Sequence, residues 1–345
     1  MRLCITGCVG FVGYWVVSLC LDAGIEVDGI DDLTPTYNLA LKEWRLHQLA
    51  GRAGFRFHRL NILDRPALER FAAASASPAL GAGKVPFSGV IHLAAASNVR
   101  KSIENPISTY ETNVLGTLSM LELCAQRSVK KFVLASSASV YGGRPLTESE
   151  AEMEPIEQRP SRENDPTDGM LSPYATSKKA AEDLCRLHQR MHGINTVVVR
   201  YFAPYGPAGR PDMSIFRFVR WMAEGEPVRV CGKGEQLRDF SFIGDLAQGT
   251  LAALNVKGFE VINLGGGNPV SIHHVLDRLE KHLGTTSRRI SVPPPPADIQ
   301  ANWADITKAR TLLDWFPRTS LDEGLRQTVD WYVSHREWLR KLPLD

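Results

Sequence analysis

The sequence predicts an α/β protein built on a doubly wound parallel sheet, with a smaller α/β unit interleaved with it. Three observations predict this class. Short apolar runs alternate with amphipathic ones through the first two hundred residues. A glycine-rich turn, ITGCVGFVG, separates the first apolar run from the first helical pattern. The second apolar run ends in a carboxylate, Asp31. Strand–helix–strand alternation implies parallel strands joined by crossovers and covered on both faces.

The elements follow in order. RLCITG reads as the first strand and YWVVSLCLDAG as the helix after it. IEVDGID, FRFHRLNI and GVIHLAA read as the next three strands. ISTYETNVLGTLSMLELCAQ then has a helical pattern, KKFVLASS is a fifth strand, SPYATSKKAAE opens a second long helix, and TVVVRYF is a sixth strand. After about residue 205 prolines and glycines become frequent and strands shorten, as in PVRVCG. EVINLGG (260–266) reads as a return to the main sheet. AAASASPALGAGK (72–84) and residues 150–169 read as surface insertions, the second placed to cover a ligand, and PPPP (293–296) as an extended linker.

Bulk properties exclude several classes. The 345 residues suffice for two domains, and a composition 43% hydrophobic and 23% charged is that of a globular protein. A net charge of +2 argues against a dedicated nucleic-acid partner. No apolar run approaches twenty residues, so no membrane span is expected. Glycines break the apolar N-terminus, so no signal peptide is expected there. Cys4, Cys8, Cys20, Cys124, Cys185 and Cys231 show neither metal nor disulfide spacing. They read as small buried thiols in a reducing cytoplasm, and no metal site is expected.

Gly7, Gly10 and Gly13 lie between the first strand and the first helix, where a tight turn brings backbone amides and the helix N-terminus to a pyrophosphate. The spacing is G-x-x-G-x-x-G. Asp31 follows Gly13 by eighteen residues and ends the second strand, where a carboxylate accepts from ribose hydroxyls and repels a 2′-phosphate. Together these features point to NAD rather than NADP, with Asp31 preferred over its neighbour Asp32. The expected organisation is an NAD-binding domain of the Rossmann type over 1–205, with 240–284 returning to it. Residues 206–239 and 285–345 form the second, ligand-binding domain.

Tyr174 and Lys178 stand four apart at the start of a helix, so both share a face. An ammonium near a phenol favours phenolate, which makes the pair a candidate general base. By spacing alone the pair is also an ordinary helix face. ASSASVYG (135–142) adds hydroxyls at the end of the fifth strand, among them Ser136, Ser137 and Ser139, where parallel sheets place ligands.

With Ser137, Tyr174 and Lys178 in place, the chain resembles the extended short-chain dehydrogenases/reductases, and among them the nucleotide-sugar 4-epimerases. The resemblance covers nearly the whole chain. It rests on TGCVGFVG, HLAAASNVRKS (92–102), ETNVLGT, SSASVYG, SPYATSK, YFAPYGPAGRPDM (201–213), LRDFSFIGDLAQG (237–249) and WADITKA (303–309). PYGPAGRPDM and LKEWRL (41–46) are most similar to UDP-glucuronate 4-epimerases.

The resemblance implies NAD beside Phe11, Val12, Asn61, Ile62, Leu93, Ala94, Ala95 and Tyr201, with Asn113 supporting the strand ends. It implies a UDP-hexuronic acid beside Ser97, Ser139, Phe202, Arg210, Met213, Arg238 and Asp298. Arg238 would meet the diphosphate, to which a planar guanidinium is suited. Its alternative is a plain pair with Asp239. Arg210 would meet the sugar carboxylate, its alternative being a pair with Asp212. Tyr174 would take the C4 proton, Lys178 would hold the phenolate, and Ser137 would bond the C4 oxygen. A homodimer through the helices at 106–127 and 174–192 is implied as well.

Asn61, Ala203, Pro294 and Pro295 depart from the pattern. Asn61 replaces a common Asp, Ala203 replaces Asn or Thr, and the prolines stand where relatives carry Arg or Gln. Other readings stay open: a UDP-glucose 4-epimerase, a UDP-glucuronate decarboxylase, or a non-catalytic NAD-binding regulatory protein. The decarboxylases and 4,6-dehydratases of the family carry an acidic residue where this chain has Ala138-Ser139, and regulatory relatives lack Tyr174 or Lys178.

Overall fold

Alternation within the strands sets the layers. Leu3 and Ile5 face one core while Cys4 faces another, and Val133 opposes Phe132 and Leu134 in the same way. Side chains two apart share a face of a strand, so each strand is apolar on both sides and needs helices on both. The structure is a computed structural model that describes residues 1–75, 87–142, 159–294 and 299–344. Most of the expected 72–84 insertion, the 150–158 part of the second one, Pro295, Pro296 and Asp298 lie outside the described residues.

In chain order the first strands are β1 (Arg2–Thr6), β2 (Glu26–Asp31), β3 (Phe55–Arg59), β4 (Gly89–His92), β5 (Lys131–Ser137) and β6 (Asn195–Tyr201). Short strands follow: β7 (Pro204–Tyr205), β8 (Val228–Cys231), β9 (Leu237–Arg238) and β10 (Ser241–Phe242). β11 (Phe259–Leu264), β12 (Val270–Ser271), β13 (Arg289–Val292) and β14 (Ala301–Asn302) complete them. The main sheet has the order β11-β6-β5-β4-β1-β2-β3, all parallel. Strand order reverses between β1 and β4, the switch point at which doubly wound sheets bind ligands. β11 pairs with β6, so EVINLGG does return to the sheet.

The helices are α1 (Phe11–Asp22), α2 (Leu39–Leu49), α3 (Arg65–Ser75), α4 (Val99–Glu104), α5 (Pro106–Tyr110) and α6 (Gly116–Gln126). They continue with α7 (Pro173–His192), α8 (Ser214–Ala223), α9 (Ile243–Ala252), α10 (Ile272–Leu283), α11 (Thr307–Leu313), α12 (Leu321–Ser334) and α13 (Arg336–Leu339). α1 and α9 cover one sheet face; α3, α6 and α7 cover the other. A separate core joins α8, α10 and α12 and reaches back to Phe11, Tyr37 and Leu41.

The helix expected over 106–127 is interrupted. Glu111–Leu115 forms a π-helical turn between α5 and α6. Its buried Asn113 donates to the Ala96 carbonyl at 3.1 Å and to Ser177 Oγ at 2.9 Å, and accepts from Ala96 N at 2.8 Å. The wider turn places this amide against both the β4 end and α7. Such turns recur at functional sites.

Candidate active site

The glycine turn is fixed by backbone crowding. Gly7 has φ +67°, and a Cβ there would lie 2.7 Å from Ala94 N. A Cβ on Gly13 would lie 2.0 Å from the Gly7 carbonyl oxygen. Gly10 caps the start of α1 and has no side chain to satisfy its first-turn amides. Those amides and the dipole of α1 therefore suit an anion. This cradle opens on a cavity of about 690 Å³, within the range of small-molecule sites.

The part of the cavity beside the glycine turn carries the expected groups and one unexpected cation. Phe11, Val12, Ile62, Leu93, Ala94 and Ala95 line it. Asp31 is nearly buried and accepts from Leu33 N at 2.9 Å. Lys42 Nζ, also nearly buried, lies 3.0 Å from Asp31 Oδ1. Asp32 accepts from Asn61 Nδ2 at 3.0 Å, so Asn61 is turned toward a neighbour carboxylate at the cavity wall. Lys42 belongs to the LKEWRL stretch, but its pairing with Asp31 depends on how α2 packs beside the β2 end, which its sequence spacing does not disclose.

The candidate reacting groups converge at the β5 end. α7 starts where Ser172 Oγ caps Ala175 N at 3.2 Å and Pro173 takes the first helical position. Ser102 Oγ accepts from Tyr174 N at 3.1 Å and fixes this first turn. Ser137, Tyr174 and Lys178 all line the cavity. Burial raises the Tyr174 phenol, while the Ser137 hydroxyl and the Arg210 charge pull it down. Lys178 Nζ donates to the Ala135 carbonyl at 2.8 Å. Burial lowers Lys178 to about 8, against the opposing charge of Glu182. A charge acting on Tyr174 thus comes from Arg210 as well, which the helical spacing of Tyr174 and Lys178 does not disclose.

The opposite wall bears the candidate sugar contacts. Arg210 grips Asp212 with two donors, at 3.0 and 2.5 Å, donates to Ser97 Oγ and lies 5.4 Å over the Tyr37 ring. It meets Asp212 as the alternative reading held, yet it also lines the cavity with Ser97 and Met213. Ser139 Oγ lies 3.1 Å from Ser137 Oγ. Arg238 lines the cavity and donates to the Leu237 carbonyl. Asp239 turns away into the interior, accepting from Ala304 N and Gly267 N. Tyr201 lines the cavity and its hydroxyl lies 2.7 Å from Thr250 Oγ1. Phe202 is placed differently from expectation: it is buried, 6.1 Å from the Tyr141 ring, and is not among the cavity-lining residues. The chain leaves β6 after Tyr201, and the Phe202 ring packs into the core beneath the sheet instead.

Two buried groups behind the wall were missed in the sequence. Arg45 donates to the carbonyls of Val9 and Ala208 and to the Tyr37 hydroxyl, joining the glycine turn to the 208–213 loop. Glu182, one turn beyond Lys178, pairs with Arg200 at 2.7 Å and accepts from Ser136 Oγ at 2.6 Å. No local signal marks either, because most of their partners lie far away in the chain.

Residues 3–265 match the model of the NAD dependent epimerase/dehydratase family. The chain belongs to that family. It is 41% identical over 339 residues to a UDP-glucuronate 4-epimerase of Thermodesulfobacterium geofontis, covering 98% of each chain. The crystal structure of a UDP-glucuronic acid 4-epimerase from Bacillus cereus, in complex with UDP-glucuronic acid and NAD, superposes with a TM-score of 0.86 at 31% identity. That match covers 97% of this chain and all of the other. A UDP-glucose 4-epimerase from Thermotoga maritima, with UDP-glucose, superposes at 0.83 and 27% identity, over 97% of this chain and 100% of that one. The extended dehydrogenase/reductase resemblance and the doubly wound fold read from the sequence both hold.

Proposed function

We propose that this family member is an NAD-dependent epimerase that inverts C4 of UDP-glucuronate, giving UDP-galacturonate through a 4-keto sugar. One observation carries the reading: Ser137, Tyr174 and Lys178 share a single cavity with the glycine cradle and with Arg210. The first-turn amides of α1, left without a side-chain cap, and the Asp31 carboxylate line the same cavity, so the residues present fit the pyrophosphate and a ribose of NAD. When bound, NAD supplies a reversible two-electron acceptor for C4.

Tyr174 takes the proton of the C4 hydroxyl, and Ser137 holds the C4 oxygen. Lys178, on the same helix face, contributes positive charge near the phenolate, and Arg210 adds to it from the opposite wall. Rotation of the keto sugar about its phosphate linkage presents the other face, and Tyr174 returns the proton. Ala138 and Ser139 supply no acid at the β5 end, which disfavours decarboxylation and dehydration. The substrate class rests on the relatives and on Arg210. Incubation with UDP-glucuronate followed by NMR tests it: an epimer supports the reading, whereas a pentose, a deoxy-keto sugar or unchanged substrate overturns it.

Purified protein should retain NAD without added cofactor, because the cycle returns the cofactor to its starting state. Denaturation and assay of the supernatant check this. Absence of nicotinamide, with no gain of activity on adding NAD⁺, would argue against the cycle.

Arg210→Ala should lower kcat/KM for UDP-glucuronate about tenfold to a hundredfold, since a charged hydrogen bond contributes roughly 1.5–3 kcal/mol. The variant also strands Asp212, a loss common to all substrates, so the ratio of the losses with UDP-glucuronate and UDP-glucose is the informative quantity. Equal losses would make Arg210 structural.

We assign residues 1–205 with 240–284 to the cofactor part and 206–239 with 285–345 to the UDP-sugar part. The pairing of β11 with β6 supports the return. α10, inside that return, packs on α8 and α12 and ties the two parts together. A homodimer through the α5–α7 face is supported by exposed apolar side chains there, Ile107 at 72% and Met191 at 62%. No described helix is long and apolar enough to cross a membrane. Cys4, Cys8, Cys20, Cys124 and Cys185 are buried and form no disulfide, which supports a reducing cytoplasm.

A further inference from the structure

Far from the cavity, the C-terminal ends of α6 and α7 carry a second cluster of donor groups. Glu122 on α6 and His188 and His192 on α7 each offer one ligand atom, and these atoms lie within 4.8 Å of one another. The histidines stand four apart, one helical turn, with ring centroids 5.5 Å apart. His188 is buried, and its Nδ1 lies 2.9 Å from the Leu184 carbonyl oxygen. A carbonyl only accepts, so Nδ1 carries a hydrogen. In a neutral ring Nε2 is then a lone pair. Yet Nε2 lies 2.9 Å from Glu122 Oε1, which in its ionised form is also only an acceptor. The contact calls for a positive centre: a second ring proton, or a metal ion between the two atoms.

We propose that Glu122, His188 and His192 form a transition-metal site that takes Zn²⁺, with water completing the coordination. Two imidazoles and one carboxylate are a zinc-type donor set. The Nδ1–H bond to Leu184 is the outer support that ligating histidines usually have, since it fixes the tautomer and the ring plane. Bonds of about 2.0–2.1 Å in a tetrahedron space ligand atoms about 3.3 Å apart, so Nε2 and Oε1 need to separate by only a few tenths of an ångström. The Glu122 side chain is 44% exposed, which leaves an entry path. Lys130 is the cation at the rim, but its Nζ is engaged with the His192 carbonyl at 3.0 Å.

The ion is structural. Fourteen residues separate Tyr174 from His188, about 20 Å along a helix, so it cannot reach the reacting atoms. It joins α6 to α7 beside the exposed Leu187 and Met191.

The test uses untagged protein stripped with a chelator and dialysed. Zn²⁺ is titrated by calorimetry, and Co²⁺ by its visible absorption. The expected result is one equivalent of Zn²⁺ per chain and a Co²⁺ spectrum of low coordination number. Glu122→Gln and His192→Gln, both on partly exposed residues, should bind about tenfold more weakly or worse. Zn²⁺ should raise the thermal midpoint of the parent but not of either variant, and epimerase turnover should be unchanged in His192→Gln. No stoichiometric binding by the parent, or undiminished affinity in both variants, would overturn the site.

Discussion

Replacing Tyr174 with phenylalanine is expected to remove nearly all turnover while leaving nucleotide and sugar binding largely intact. General acid–base catalysis is typically worth about 10²–10⁴-fold, and the proposed mechanism gives the C4 proton to the phenol. The hydroxyl is what changes; the ring, the Ser172 cap and the bond from Tyr174 N to Ser102 Oγ all persist. The loss should therefore fall on kcat, with the Kd for UDP-glucuronate shifting little. Burial holds the phenol up while Ser137 and Arg210 hold it down, so Ser137→Ala should displace the pH–rate profile toward higher pH. A Phe variant with near-parent kcat would leave Tyr174 with a structural role only.

Glu182→Ala is expected to produce the largest loss of stability, about 3–5 kcal/mol, because it leaves a buried guanidinium without its carboxylate. Arg200 and Glu182 have side chains only 4% and 3% exposed, so water cannot readily replace the partner. Burial acts first on Arg200, but Glu182 more than compensates and holds it firmly charged. Arg200 also lies 4.8 Å over the Tyr141 ring and donates to the Glu163 carbonyl, so the change should loosen the 159–165 segment at the sheet edge. Urea titration measures the loss. Glu182→Leu with Arg200→Met should recover most of it, since a buried pair is often replaceable by apolar groups of similar volume. A single variant that loses under 1 kcal/mol would mean that Arg200 finds another partner or water.

Local periodicity and spacing carry the parts of this fold that were legible in the residues alone. Alternating apolar strands with helices between them specify a parallel sheet, because each strand must be covered twice. Glycines at the first turn specify the cradle, since Gly7 and Gly13 stand where a Cβ would strike backbone. The order of Ser137, Tyr174 and Lys178 on a strand end and a helix start marks out the proposed reacting set, and the three line one cavity. The sequence alone did not disclose contacts between residues far apart in the chain. Lys42 reaches Asp31 because α2 packs beside the β2 end. Arg45 meets carbonyls more than 160 residues away. The π turn at Glu111–Leu115 aims Asn113 at two other elements. Glu122 meets His188 only where two helices run side by side. Each of these depends on how whole elements pack, and a local reading sees one partner at a time. Packing also brings Arg210, 36 residues from Tyr174 in the chain, close enough for its charge to oppose the effect of burial on the phenol, because the 208–213 loop lies along the cavity.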